Sequence, residues 1–111
     1  MTIAAIAKSL SLEVMCSSRN LSREIQGGYA SDMLSCVMAG AQKDDIWVTL
    51  LTHLNVIAVA TLLEIPAVIV TENSHIEESV LKKADDEGIV LLHTTEDTYS
   101  IVGQLYTLGI T

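Results

Sequence analysis

The chain has 111 residues, enough for one domain, and half of them are hydrophobic. Its net charge of −8 and pI near 4.5 repel phosphate backbones and anionic membranes, so neither a nucleic-acid nor a membrane partner is expected. Aromatic residues are scarce, so the core is expected to be aliphatic; a mean hydropathy of +0.43 is more than a domain this small hides, which makes a twofold homodimer the expected form.

From the amino terminus, Thr2 is placed to cap a short helix whose apolar side is Ile3, Ile6, Ala7 and Leu10. The apolar stretch Ile3 to Ala7 has no basic leader before it, so a signal peptide is not expected. Leu12 to Cys16 alternates, with Leu12, Val14 and Cys16 on one side, and reads as a first strand. Ser17 to Asn20 reads as a turn, and Leu21 to Gln26 as a short edge strand. Gly27-Gly28 is expected to break regular structure. A helix from about Ser31 to Ala39 should bury Met33, Leu34, Val37 and Met38, with Gly40 as its stop.

Three strand–helix units follow. Ile46 to Leu51 is a buried strand, and Asn55 to Glu64 is a helix apolar on nearly every side, with Val56, Ile57, Ala58, Val59, Leu62 and Leu63. Such a helix lies deep in a domain or packs on a partner chain. Ala67 to Thr71 is the next strand. The Ser74/Glu77 pair then reads as a capping box for a helix running to Glu87 and closed by Gly88. Ile89 to Leu92 is the last strand. A final helix, opened by Thr94 and Asp97, turns Tyr99, Val102, Leu105 and Tyr106 inward as far as Leu108. The strand starts fall roughly 21 residues apart, as in repeated βα units of one domain rather than a solenoid. The fold class is therefore α/β: one domain over residues 1–111, with a mainly parallel sheet of about four to five strands flanked by helices. Ile46 to Val70 is interrupted by His53, Asn55, Glu64 and Pro66, short of the about 20 continuous apolar residues of a membrane span.

In a parallel sheet, ligands gather at the carboxyl ends of the strands. All three histidines fall just after the expected strands: His53 between Thr52 and Asn55, His75 after Thr71, and His93 before Thr94. A histidine there can bind a ligand or serve as a base near neutral pH. The same residues also serve as loop residues beside helix caps, Asn55 or Thr52 being the expected cap near His53. No pair of histidines has the close helical spacing of a zinc motif, so no metal is expected. Cys16 and Cys36, without a CxxC pair, suit a reducing cytoplasm and are expected as small core residues. Neither GxxxxGK nor GxGxxG occurs, which removes the phosphate-loop enzymes. Gly27-Gly28-Tyr29 forms at most a small anion nest, and Asp32 sets a negative charge beside it. No nucleophile stands beside a base and an oxyanion hole, so neither a catalytic set nor a cofactor is expected.

The stretch Gly27-Gly28-Tyr29-Ala30-Ser31-Asp32-Met33-Leu34-Ser35, then Val37-Met38-Ala39, Trp47-Val48-Thr49 and Thr52-His53-Leu54-Asn55-Val56, resembles the DRTGG domain in its short stand-alone form. The family's domain is an α/β module similar in fold to the N-terminal domain of HPr kinase/phosphorylase. It occurs beside phosphotransacetylase catalytic domains and between CBS domains of regulated pyrophosphatases. The resemblance implies a regulatory or dimer-assembly role without catalysis. The Asp-Arg pair of the name motif falls near His53-Leu54, and its Thr-Gly-Gly near Thr71-Glu72-Asn73, where only Thr71 is kept.

The leading expectation is a non-catalytic cytoplasmic homodimer joined through Met33, Val37 and Met38, or through Val56, Val59 and Leu63. A second is a sensor for a small anionic ligand, a nucleotide or phosphorylated metabolite, held by Gly27, Gly28, Asp32, Thr52, His53, Asn55, Thr71 and His93. A regulated protein partner is the remaining candidate partner. The third expectation is a small enzyme using His53 as base with Asp32.

Overall fold

The computed structural model describes Met1–Thr111. In chain order the elements are α1 (Ile3–Ser9), β1 (Glu13–Val14), a 3-10 turn (Ser18–Asn20), β2 (Gly27–Ala30), α2 (Leu34–Gly40), β3 (Asp45–Thr49), α3 (Leu54–Leu63), β4 (Ala67–Val70), α4 (Glu78–Glu87), β5 (Val90–His93) and α5 (Thr98–Thr107). The sheet order is β1-β5-β4-β3-β2. Strands β2 to β5 run parallel, and only β1 is antiparallel, pairing Glu13 with His93 and Val14 with Leu92. The expected α/β class and mainly parallel sheet are what the chain forms.

Side chains of a strand alternate between its two faces, and here both faces are covered. Ile46, Val48, Ala67, Ile69, Val90 and Leu92 join α1 and α5 in one apolar cluster. Trp47, Val68, Val70 and Leu91 join α2, α3 and α4 in the other. Burial on both faces is why β3, β4 and β5 read as unbroken apolar runs rather than alternating ones.

The edge strand is not where the sequence placed it. Residues 21–26 form no strand, apart from an isolated bridge between Thr2 and Glu24. The Gly27-Gly28 pair, expected as a break, instead opens β2 beside Asp45 and Ile46. Neither glycine has a positive φ. A Cβ on Gly27 would stand 2.9 Å from Asp45 Oδ1 and 3.3 Å from the Thr111 carbonyl oxygen, so close approach explains this glycine. Asp45 is itself buried, accepting hydrogen bonds from the Gln42 N–H and the Gln26 amide. Gly40 is the last residue of α2, and the Tyr29 ring fills the place of its missing Cβ.

Helix faces also depart from the expected stripes. Of Met33, Leu34, Val37 and Met38, only Val37 is buried and Leu34 is half-buried against the same cluster, because seven-residue α2 covers only the edge of the sheet. Helix α5 turns Ile101 and Leu105 inward and leaves Tyr99 and Tyr106 outside. Val14 is exposed on the short β1. Cys16 is half-buried and Cys36 exposed, so neither is a core residue. The capping boxes are absent. His53 caps α3, Glu77 stands at the α4 cap without a side-chain bond, and Asp97 caps α5 through the Ser100 N–H. Thr2 caps α1 as read, through the Ala5 N–H, and Gly88 closes α4 at φ 73°.

One polar tie anchors the segment after β1 to α4. The Asp85 carboxylate accepts from the Ser17 N–H at 2.9 Å and from Arg19 at 3.1 Å. The Ser17 backbone N–H, and then Arg19, hold the Asp85 carboxyl below its ordinary value of 3.8. A carboxyl lowered on folding stabilises the fold above its unfolded pKa, and that contribution is lost as pH falls through the folded one.

Two predictions follow from these packing arrangements. Gly27→Ala should cost about 1–3 kcal/mol by crowding Asp45, while Gly28→Ala, whose Cβ meets nothing nearer than 3.5 Å, should stay within about 0.5 kcal/mol in urea unfolding. Asp85→Asn should flatten the fall in melting temperature from roughly pH 4 downward; an unchanged acid limb speaks against the tie.

Candidate functional site

The four parallel strands bring their carboxyl ends to one edge. Near β2 and β3 that edge is closed by internal hydrogen bonds. Asp32 Oδ1 accepts from Thr49 Oγ1 at 2.8 Å and from the Leu50 N–H at 2.9 Å. The Trp47 ring N–H donates to the Ser31 carbonyl at 3.0 Å. His53 Nδ1 accepts from the Asn55 N–H at 3.3 Å, and its ring lies in solvent with Asn55, while Thr52 is half-buried. Asp32 and His53 thus each accept a hydrogen bond from a backbone N–H near their own turn.

The connections leaving β4 and β5 go to opposite faces: β4 leads to α4 on one cluster, and β5 to α5 on the other. Adjacent strands that diverge in this way open the crevice where α/β sheets take ligands. Here the crevice is largely filled. Thr71 Oγ1 meets Thr98 Oγ1 at 2.6 Å. The Thr98 N–H donates to Glu72 Oε2 at 2.8 Å, at the start of α5. The Glu72 N–H reaches the Glu96 carbonyl at 2.8 Å, and the Asn73 N–H the Thr94 carbonyl at 3.1 Å. Glu72 and Asn73 both hold positive φ, 62° and 54°. Non-glycine side chains thus occupy a left-handed backbone that glycine adopts more readily.

Beside this plug a cleft of about 380 Å³ stays open toward β1. His93 and Glu13 flank it, with His93 Nδ1 3.7 Å from Glu13 Oε1. The loop after β4 adds Asn73, Ser74 and His75, and Met15 and Ile76 supply apolar wall. An apolar crevice of about 130 Å³ between β2 and α5 is below the 300–1,000 Å³ typical of ligand sites. No group of three or more His, Cys, Asp or Glu side chains is arranged to hold a metal ion. Burial pushes the Cys16 thiol up, away from the reactive thiolate.

The eight residues expected to bind a ligand are thereby divided. Gly27 and Gly28 lie at the amino end of β2, across the sheet from the others. Asp32, Thr52, His53 and Asn55 surround the closed β2–β3 corner. Thr71 and His93 sit at the β4–β5 divergence, where Thr71 belongs to the plug and His93 to the cleft. Sequence reasoning missed Glu13, Asn73 and Ser74. Their signal is topological, since the side to which each helix crosses is not written in any local run. Of the residues expected at a dimer contact, Val37, Val56 and Val59 are buried inside the protomer, Leu63 is half-buried, and only Met33 and Met38 are free.

The family profile of the DRTGG domain matches residues 5–108. No curated protein matches the chain. Among solved structures, the chain is similar to the CBS and DRTGG domains of the regulatory region of Clostridium perfringens pyrophosphatase, complexed with its activator, diadenosine tetraphosphate. The TM-score is 0.72 at 15% identity, covering 94% of this chain and 45% of that one. The chain therefore spans less than half of that regulatory region, and the likeness is one of fold.

Asp32→Ala should cost about 1–3 kcal/mol in urea unfolding, because it strands the Leu50 N–H and the Thr49 hydroxyl. A loss under about 0.5 kcal/mol means that water replaces the carboxylate there.

Proposed function

The chain belongs to the DRTGG domain family, and from that premise we propose that it is a non-catalytic regulatory module of the cytoplasm that works as a homodimer. The observation that carries this reading is an uncharged apolar face. Neither α2 nor α3 contains a charged residue, although the chain carries 14 acids and six bases. On and beside these helices Met33 is 61% exposed, Met38 51%, Leu50 40%, Leu54 50% and Leu62 68%. Leu54, Ala58 and Leu62 follow one another at helical spacing and form a single outward row on α3. Together these side chains present on the order of 500 Å² of apolar surface, the range of the largest patch on a typical monomer, which is often functional.

A second copy is the occupant that fits. Two chains of charge −8 repel through most of their surfaces, and this face carries carboxylates only at its margins, Asp32 beside Met33 and Glu64 after α3. Pairing it across a twofold axis buries about 1,000 Å² in all, the lower bound for a specific interface.

A second reading is a small-ligand sensor. The similar pyrophosphatase region is described with a nucleotide activator, and in this chain the cleft beside His93 lies where the sheet topology favours a ligand. In either reading the chain acts by changing assembly or shape, and no residue set supports a reaction of its own.

Leu62→Glu, at an exposed position, should leave the fold intact and halve the mass in light scattering. Val59→Glu should unfold the chain by about 3 kcal/mol or more, because Val59 is an interior residue. A wild-type monomer at high protein concentration, or a dimer that survives Leu62→Glu, removes this interface.

A further inference from the structure

We infer that the cleft between β1, β5 and the loop after β4 is a binding site for an uncharged, amine-bearing heterocycle of the purine type. This rests on the sensor reading above and gives it a place and a ligand class.

Many polar side chains at the strand ends are already engaged. Asp32, Thr49, Thr71, Glu72, Thr94, Asp97 and Thr98 each hold a hydrogen bond within the protein. Thr52, Asn55 and Thr95 also make no side-chain hydrogen bond but line no cavity, whereas the cleft gathers several such groups around one. The Asn73 amide and the Ser74 hydroxyl make no side-chain hydrogen bond, and only their backbone N–H groups are used. His93 and Glu13 face each other at 3.7 Å, beyond hydrogen-bond distance. His75 reaches no closer than 3.8 Å to Glu77. Unspent donors and acceptors thus converge on a cavity of ligand size, at the place where the sheet diverges.

Their chemistry selects the ligand. Glu13 only accepts hydrogen bonds, so it calls for an N–H donor such as an exocyclic amine. The Asn73 amide offers one donor group and one acceptor, the pattern that pairs with the edge of a base. Met15 and Ile76 give apolar wall for a flat ring. A bare phosphate offers acceptors alone and brings negative charge toward Glu13, and no lysine or arginine lines the cleft. The recognised part is the base, and any phosphates it carries point to solvent.

Calorimetric titration of the full chain with adenosine, inosine and inorganic phosphate tests this. Adenosine should bind with sub-millimolar affinity. Inosine, which lacks the exocyclic amine, should bind at least about tenfold more weakly, and phosphate should not bind. Glu13→Gln should erase the difference between the nucleosides. Asn73→Gly removes the amide while suiting the left-handed backbone, so it should keep the fold and weaken adenosine about tenfold. Absence of adenosine binding at roughly 5 mM, equal binding of inosine, or indifference to both substitutions overturns the inference. If another compound raises the melting temperature and Asn73→Gly abolishes that shift, the ligand class falls and the sensor reading stands. If no compound does so, both fall. Leu62→Glu should leave adenosine binding unchanged, which separates this test from the dimer.

Discussion

The requirement that three parallel strands be dry on both faces organises this molecule. Every backbone group of β3, β4 and β5 finds partners only if strands lie on each side, and every side chain stays dry only if helices cover both faces. The short β1 meets the first condition by closing β5, and β2 does so for β3. Helices α2, α3 and α4 meet the second condition on one face, as right-handed crossovers between neighbouring strands require. That leaves the other face to α1 and α5. The resulting asymmetry sends the exits of β4 and β5 to opposite faces.

Those exits decide what the edge can do. Near β2 and β3 the crossovers leave to the same face, so the loops pack against one another and Asp32 stitches them shut. Between β4 and β5 the loops part, and the chain fills most of the gap with Thr71, Glu72 and Thr98. What remains open is a side chamber at His93. The polar edge thus has a closed end that stabilises the fold and an open end beside His93.

The parts legible in the sequence were those governed by burial on two sides. Runs such as Ala67 to Val70 and Val90 to Leu92 have no polar alternative and announce themselves. Gly27-Gly28 misled because glycine signals both turns and close packing, and only the position of Asp45 decides between them. Helix α2 misled because its methionine spacing matches a buried stripe, yet a helix of two turns on an edge strand has little interior to reach. The Tyr99 and Tyr106 positions erred by rotation alone: Ile101 and Leu105 form an equally good helical stripe, and the sheet chose it. At the strand ends the sequence grouped Asp32, Thr52, His53, Asn55, Thr71 and His93, which do share one edge of the sheet. Proximity of His53 to a helix start is visible locally, whereas the divergence of two crossovers beside His93 is not.

The bond from Glu72 to the first amide of α5 has a consequence for selectivity. The amino end of a helix carries partial positive charge and is a natural berth for phosphate. In this chain the berth comes with its own counterion, tethered by one residue and held by a strained left-handed turn. A phosphorylated visitor must displace that carboxylate and still face the chain's surplus of negative charge. The most general anchor of this architecture is thus taken by the chain itself.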